Sequence, residues 1–227
     1  MWARIEDNKI VEYYNQKKSI VLNNVRYSSQ IFTIWTDEQR KDLGIVPVVI
    51  SGTHLNTNYY IEKDYSDAIA GDGNSVIRTI GVKDSDRNLN DVNEVWTQSE
   101  IDDGQAPDGT SVNDPKLDKD GNQMITRGLK YNAIQKVKTQ QAGFLAQTDW
   151  YIIRKADAGT AIPSNIQTWR NAIRADSTRI ETAITNAADM NAFIALHTDE
   201  MNSDGTLKTM NRINRWTSDS TVKEYIR

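Results

Sequence analysis

Two amphipathic stretches joined by one turn constrain this chain more than any other feature. Ile134, Val137, Phe144, Leu145, Tyr151 and Ile152 recur near a three-to-four-residue spacing, which predicts an α-helical run up to Ala156 with one buried stripe. Ile166, Trp169, Ile173, Ile180, Ile184 and Ala187 repeat the pattern. Between them stand Gly159, which takes a left-handed backbone past a helix end without steric cost, and Pro163, whose missing N–H has no role in the first turn of the next helix. A helical hairpin is therefore predicted. Trp150 and Trp169 lie at helical spacing among apolar neighbours, so packing is the role expected of them. Asp149 and Arg154 are too far apart in sequence to meet as an i,i+4 pair, and the Arg170 side of the second helix is the partner expected for Asp149. Asp189 is expected to cap a further helix through Phe193, Ile194 and Leu196.

The N-terminal part carries a different pattern, short β-like runs broken by turn residues. Arg4–Glu6, Lys9–Tyr14, Ser19–Leu22 and Ile31–Trp35 bracket Asp7-Asn8, Gln16-Lys17 and Asn23-Asn24, which suits an antiparallel meander. Thr36 is expected to cap a short helix over Asp37–Asp42, stopped by Gly44. Ile45–Ile50 is an apolar run containing Pro47, which cannot donate to a ladder, so an edge position is expected. Tyr59–Glu62, Val76–Val82 and Val92–Trp96 are further strand candidates.

The fold class expected is α+β: a small antiparallel β-rich N-terminal part, residues 1–101, and a C-terminal helical part, residues 127–227, made of a hairpin with extra short helices. Between them, charge marks a boundary. Acids and bases balance over residues 1–83, whereas residues 84–122 carry eleven acids against three bases, and residues 123–227 carry ten against fourteen. The stretch from Asp102 to Gly121 is rich in Asp, Gly and Pro and nearly free of large apolar side chains. Residues 102–126 are accordingly expected to form an exposed linker or loop; the alternative is an ordered excursion that contacts a neighbouring subunit.

Chemical motifs are sparse. Cysteine is absent, which excludes disulfides, thiolate nucleophiles and cysteine-bound zinc. The two histidines, His54 and His197, have no spacing that suggests a shared metal, and local hydrogen bonding is expected for both. An EF-hand aligned on Gly121 would place Lys116 and Arg127 where carboxylates must bind, so that reading fails. Gly71–Ser75 lacks the lysine and hydroxyl of a phosphate loop and reads as a turn. No nucleophile elbow or defensible triad is present. No metal and no cofactor are expected, and neither is enzymatic turnover. Arg170, Arg174, Arg179, Arg212, Arg215, Lys223 and Arg227 are interleaved with acids such as Asp176 and Glu181, so a solvated face of mixed charge is expected and nucleic-acid binding is not. No apolar run reaches the length of a membrane span, and the opening Met-Trp-Ala-Arg-Ile-Glu lacks the apolar region of a secretory signal. The apolar positions after Ser203, namely Leu207, Met210, Ile213, Trp216, Val222, Tyr225 and Ile226, are spaced for short segments that need a surface to pack on, in this chain or another.

TDWYIIRKADAG, a short link, IP, and a helix with WRNAIR together resemble the C-terminal region of tail-fibre-assembly-type proteins of tailed bacteriophages. WARIEDNKIV at Trp2–Val11 is similar to the opening strand of such proteins, and WTDEQRKDLGIVPV at Trp35–Val48 to their short helix and following strand. The resemblance implies a structural subunit associated with the tail fibre or baseplate, or alternatively an assembly chaperone absent from the mature virion. Its partners would be tail-fibre or baseplate proteins, or a second copy of the chain, and its location the virion tail, with the host cytoplasm during assembly. Asp149, Trp150, Arg154, Pro163, Trp169, Arg170 and Trp216 are the candidate structural or interaction residues.

Overall fold

The computed structural model describes residues 1–218, 220, 222 and 223. Its fold is α+β, with strands concentrated in the N-terminal part and helices in the C-terminal part. The chain divides into two compact units, Met1–Asp86 and Arg87–Arg227. The division thus falls after Asp86, ahead of the acidic stretch, which lies wholly in the second unit.

The first unit is built on a mixed sheet. Its strands are β1 (Trp2–Glu6), β2 (Lys9–Tyr14), a β3–β4 hairpin (Ile20–Leu22, Val25–Tyr27), β5 (Ile45–Ser51), β6 (Tyr60–Glu62), β7 (Ser66–Ile69), β8 (Val76–Thr79) and β9 (Lys83–Asp86). Five of them form one sheet in the order β2-β1-β5-β8-β7, and β6 pairs with β9 separately. The β5–β8 pair is parallel, so the antiparallel meander expected from the turns holds only in part. Nor is β5 an edge strand. Trp2 stands opposite Pro47, while the β8 ladder begins only at Val48. Val48 N–H donates toward β1, to Met1 O. By strand alternation the donor that Pro47 lacks would face the β8 side, ahead of the first β8 rung, so the sheet loses no bond.

The sheet's two faces bury different sets. Tyr14 and Ile45 pack with Ile20, Ile31 and Phe32, while Ala3, Val46 and Val76 form the opposite cluster beside Ile10, Val48 and Ile69. Ile31 and Phe32, expected in a strand, belong instead to a 3-10 turn (Ser29–Phe32) that lids the first face. The helix α1 (Asp37–Lys41) begins at Thr36 with a reciprocal capping box to Gln39. Its buried Arg40 donates to the carbonyls of Ile31 and Trp35, tying helix to turn. The outer strands approach each other: Tyr13 on β2 donates to Asp67 on β7, and Arg78 on β8 holds Asp67 through two bonds of 2.8 and 2.6 Å. This pairing with Arg78 keeps the Asp67 carboxyl below the usual range.

The second unit opens with an excursion built from β10 (Val92–Asn93), α2 (Gln98–Asp102) and β11 (Ile125–Thr126), with β10 and β11 antiparallel. Further bridges join Val95 to Pro115 and Leu117 to Gln123. The expected linker is therefore an ordered excursion that leaves and rejoins the same base. Its side chains are exposed, as its composition requires, but its backbone is paired. Gly128 closes the base: its N–H donates to Asp91, and a Cβ there would lie 2.3 Å from the Asn90 carbonyl carbon.

Four helices follow, α3 (Leu129–Ala146), α4 (Asp149–Ala158), α5 (Ser164–Thr185) and α6 (Met190–His197), then a small hairpin of β12 (Glu200–Met201) and β13 (Leu207–Thr209) and a 3-10 turn at Arg212–Asn214. On α5, Ile166, Trp169, Ile173, Ile180 and Ile184 are buried at helical spacing. Burial of each such isoleucine stabilises the fold by about 2 kcal/mol. Gly159 ends α4 in the left-handed conformation, and Asp189 caps α6 by accepting from Ala192 N. Two expectations are modified. The run predicted as one helix breaks at Thr148, and Pro163 stands at the N-cap of α5, one residue before its first turn. Among the tail anchors, Trp216 packs on Phe144 and Val222 is fully buried against the hairpin, whereas Leu207 and Met210 are exposed. Tyr225, Ile226 and Arg227 lie outside the described residues.

Candidate interaction surface

The corner between α3 and α4 gathers most of the candidate residues. Its organising side chain is Arg170, buried on α5. The Arg170 guanidinium donates to Leu145 O at 2.8 Å, Thr148 Oγ1 at 2.7 Å and Asp149 Oδ1 at 2.8 Å. Leu145 O belongs to the last turn of α3, where carbonyls lack helical partners and the helix dipole favours a cation. Asp149 occupies the first turn of α4, where an anion is favoured. One arginine thus joins the negative end of α3 to the acidic start of α4. Thr148, fully buried, also donates its hydroxyl to Leu145 O. Neither helix can continue through the other while these bonds hold.

The break at Thr148 resets which face of α4 is covered. Tyr151 turns inward beside Trp169, Ile166 and Ile173. Ile152, expected on the buried stripe, is 39% exposed, and Ile153 is 67% exposed. Beside them the Arg154 guanidinium lies 4.8 Å from the Trp150 ring centre and 5.2 Å from that of Tyr151. Trp150 and Tyr151 are themselves in ring contact at 3.7 Å. Arg154 therefore stacks on aromatic faces and leaves Asp149 to Arg170.

Trp169 and Trp216 are both placed in the core around this corner, Trp169 buried and Trp216 partly so. Pro163 sets the start of α5, with its carbonyl accepting from Gln167 N. What spacing could not show is Thr148, a buried threonine whose hydroxyl accepts from Arg170, far along the chain. Of the basic residues weighed for a phosphate-facing patch, Arg170 is interior and Arg179 pairs with Asp176. Burial opposes ionisation of Asp176, but the Thr217 hydroxyl and Arg179 outweigh it and hold its carboxyl below the usual range.

The two histidines are engaged locally. His54 Nδ1 lies 2.8 Å from Glu62 in the first unit, and His197 Nδ1 lies 2.9 Å from Phe193 O in the second. Among the described residues no cluster of His, Asp or Glu is arranged to hold a metal ion, and no helix is long and apolar enough to cross a membrane. The acidic excursion satisfies its own carboxylates in part: Asp118 accepts from the N–H groups of Asp120 and Asn122.

No protein-family model, no curated protein and no solved structure matches this chain.

Proposed function

We propose that the chain is a non-enzymatic bacteriophage tail protein, a structural subunit that docks on the tail fibre or baseplate through α4. The observation that carries this reading is the exposed Ile152–Ile153 pair beside Arg154 stacked on Trp150 and Tyr151. Aromatic and arginine side chains around exposed aliphatic groups are the composition of protein-binding hot spots. The Arg170 lock beneath holds α4 in place before any partner arrives, so little ordering entropy opposes docking. The resemblance of TDWYIIRKADAG to tail-fibre-assembly-type proteins supports the same reading, since the exposed pair falls inside that motif.

The test is co-purification with the tail fibre after co-expression, comparing the native chain with Ile153→Asp. Loss of the complex with an unchanged circular dichroism spectrum supports docking through α4; equal recovery removes α4 from the surface. Mass spectrometry of purified virions then separates a retained subunit from the alternative, an assembly chaperone released before maturation.

A further inference from the structure

Arg179, Arg212 and Arg215 line an open pocket of about 580 Å³ together with Thr198, Glu200 and Thr209. The acids around it are already occupied. Glu200 accepts from Lys208 at 2.6 Å, Asp176 from Arg179 and Thr217, and Asp199 from the backbone and side chain of Asn211. Arg179 is committed to Asp176 and to Arg215 O, whereas the other two arginines are less fully used. Arg215 spends its Nε on Met210 O, and Arg212 makes no hydrogen bond or ion pair among the described residues. Thr198 donates its hydroxyl to Ile194 O and Thr209 bonds Glu200, so what the pocket presents to an anion is guanidinium donors, whose fork geometry suits carboxylates.

The chain carries the matching charge. Residues 84–122 hold eleven acids against three bases. Within this segment Asp103, Asp108 and Asp120 have side chains without hydrogen bonds or ion pairs among the described residues. No bond joins residues 98–122 to the arginine pocket of the same molecule, although both lie in the second unit. The excursion is also held out as an ordered projection, tied at its base by Gly128 and Asp91. We infer that the acidic excursion of one copy docks in the arginine pocket of a second copy. Because the two patches are different, the contact is heterologous and propagates from copy to copy until a ring closes or a chain grows. This inference stands apart from the α4 surface and does not depend on the tail-protein reading.

Nucleic acid is the other polyanion to consider, and its phosphates would meet Glu200, Asp199 and Asp176 as the excursion's carboxylates do, so experiment decides between them. Sedimentation velocity of the full chain tests the choice. The expected result is mass that grows with concentration at about 50 mM salt and falls toward the monomer at about 500 mM, where screening is strong. Arg212→Glu with Arg215→Glu should abolish the growth, as should Asp103→Lys with Asp108→Lys and Asp120→Lys. An equimolar mixture of the two variants should associate again, because each supplies the patch that the other inverted. Arg212→Ala, at an exposed and unbonded position, guards against misfolding and should weaken association several-fold. A wild-type chain that stays monomeric at low salt overturns the inference, and so do variants that associate like the wild type. Binding of a single-stranded oligonucleotide that is lost in the arginine variants while self-association persists would assign the pocket to phosphate and overturn it as well.

Discussion

Along α5 seven side chains turn inward, whereas from Asp91 to Thr126 no side chain is fully buried. Both regions belong to one compact unit and both are ordered. In α5 the order comes from apolar area removed from water, which is nearly indifferent to salt and pH. In the excursion it comes from paired backbone and charged contacts. Trp96 N donates to Asp114 O, Lys116 N to Glu94 O and Met124 N to Lys116 O. The Gln123 amide adds bonds to Glu94 O and Lys116 O. Low burial in a polar segment is thus compatible with a defined path, provided that its backbone groups find partners. Such order should respond to solution conditions that leave the helices unmoved.

The contrast is broken most severely at Trp169. It is 3% exposed within the cluster of Tyr151, Ile166, Ile173 and Val222, so Trp169→Ala should cost about 3–5 kcal/mol in denaturant unfolding. A loss under about 1 kcal/mol would mean that burial does not hold the hairpin. Next comes Arg170→Ala, which removes the guanidinium from Leu145 O, the Thr148 hydroxyl and Asp149 and leaves Thr148 and Leu145 only their bonds to each other. Removing charge-assisted bonds from buried partners costs about 2 kcal/mol, with faster amide exchange expected around Thr148. An unchanged exchange pattern would show that the α3–α4 corner is set by packing alone.

These two sites differ in how they could be read beforehand. Trp169 was legible because Ile166, Trp169, Ile173, Ile180 and Ile184 recur at the helical period, and Gly159 with Pro163 marked the turn. The Thr148 break was not, because it depends on bonds from Arg170, and local spacing ran straight through it from Leu145 to Tyr151. In the first unit, β9 carries no alternating apolar signal because Lys83–Asp86 is exposed throughout and pairs only with β6. Pro47 misled for a related reason: the rule about edges concerns the missing donor, and the stagger between the β1 and β8 ladders leaves that donor unneeded. In the acidic stretch, composition correctly implied exposure, yet it carries no information on backbone pairing. The exposed face of α4 followed from the break and was hidden with it.

The pH response of the excursion separates it from the helices. Lys116 donates to Glu100, and the Thr97 N–H and hydroxyl add two more bonds, which together lower the Glu100 carboxyl to about 2. Its folded value lies below its unfolded one, near 4.5, so the contribution is fully present above about 4.5 and is lost as pH falls toward about 2. Protection of the amides of Trp96, Lys116 and Met124, taken relative to the intrinsic exchange rate at each pH, should fall across that window while that of α5 does not. Glu100→Gln should show faster exchange at neutral pH and converge with the native chain near the acid end. Equal protection in both at pH 7 would remove Glu100 from the contacts that order the excursion.

The smallest effect belongs to the tip of the same excursion. Between Gln105 and Gly109 the backbone makes only local contacts: Gln105 N donates to Glu100 O, and Thr110 N reaches back to Pro107 O. The long-range bonds begin again at Asn113, which donates to Trp96 O. Shortening residues 105–109 to two glycines therefore removes no bridge between the two arms. Loop closure depends only weakly on length, about 0.6 kcal/mol per doubling, so unfolding free energy should move by less than about 1 kcal/mol. Replacing residues 114–124 by a flexible linker of equal length should instead remove the partners of Glu94 and Trp96 and erase exchange protection throughout the excursion. If both changes proved equally harmless, backbone pairing would not be what orders this region. If the tip alone were costly, Asp108 or its neighbours would be engaged in a contact within the chain, leaving less of the excursion free to meet another copy.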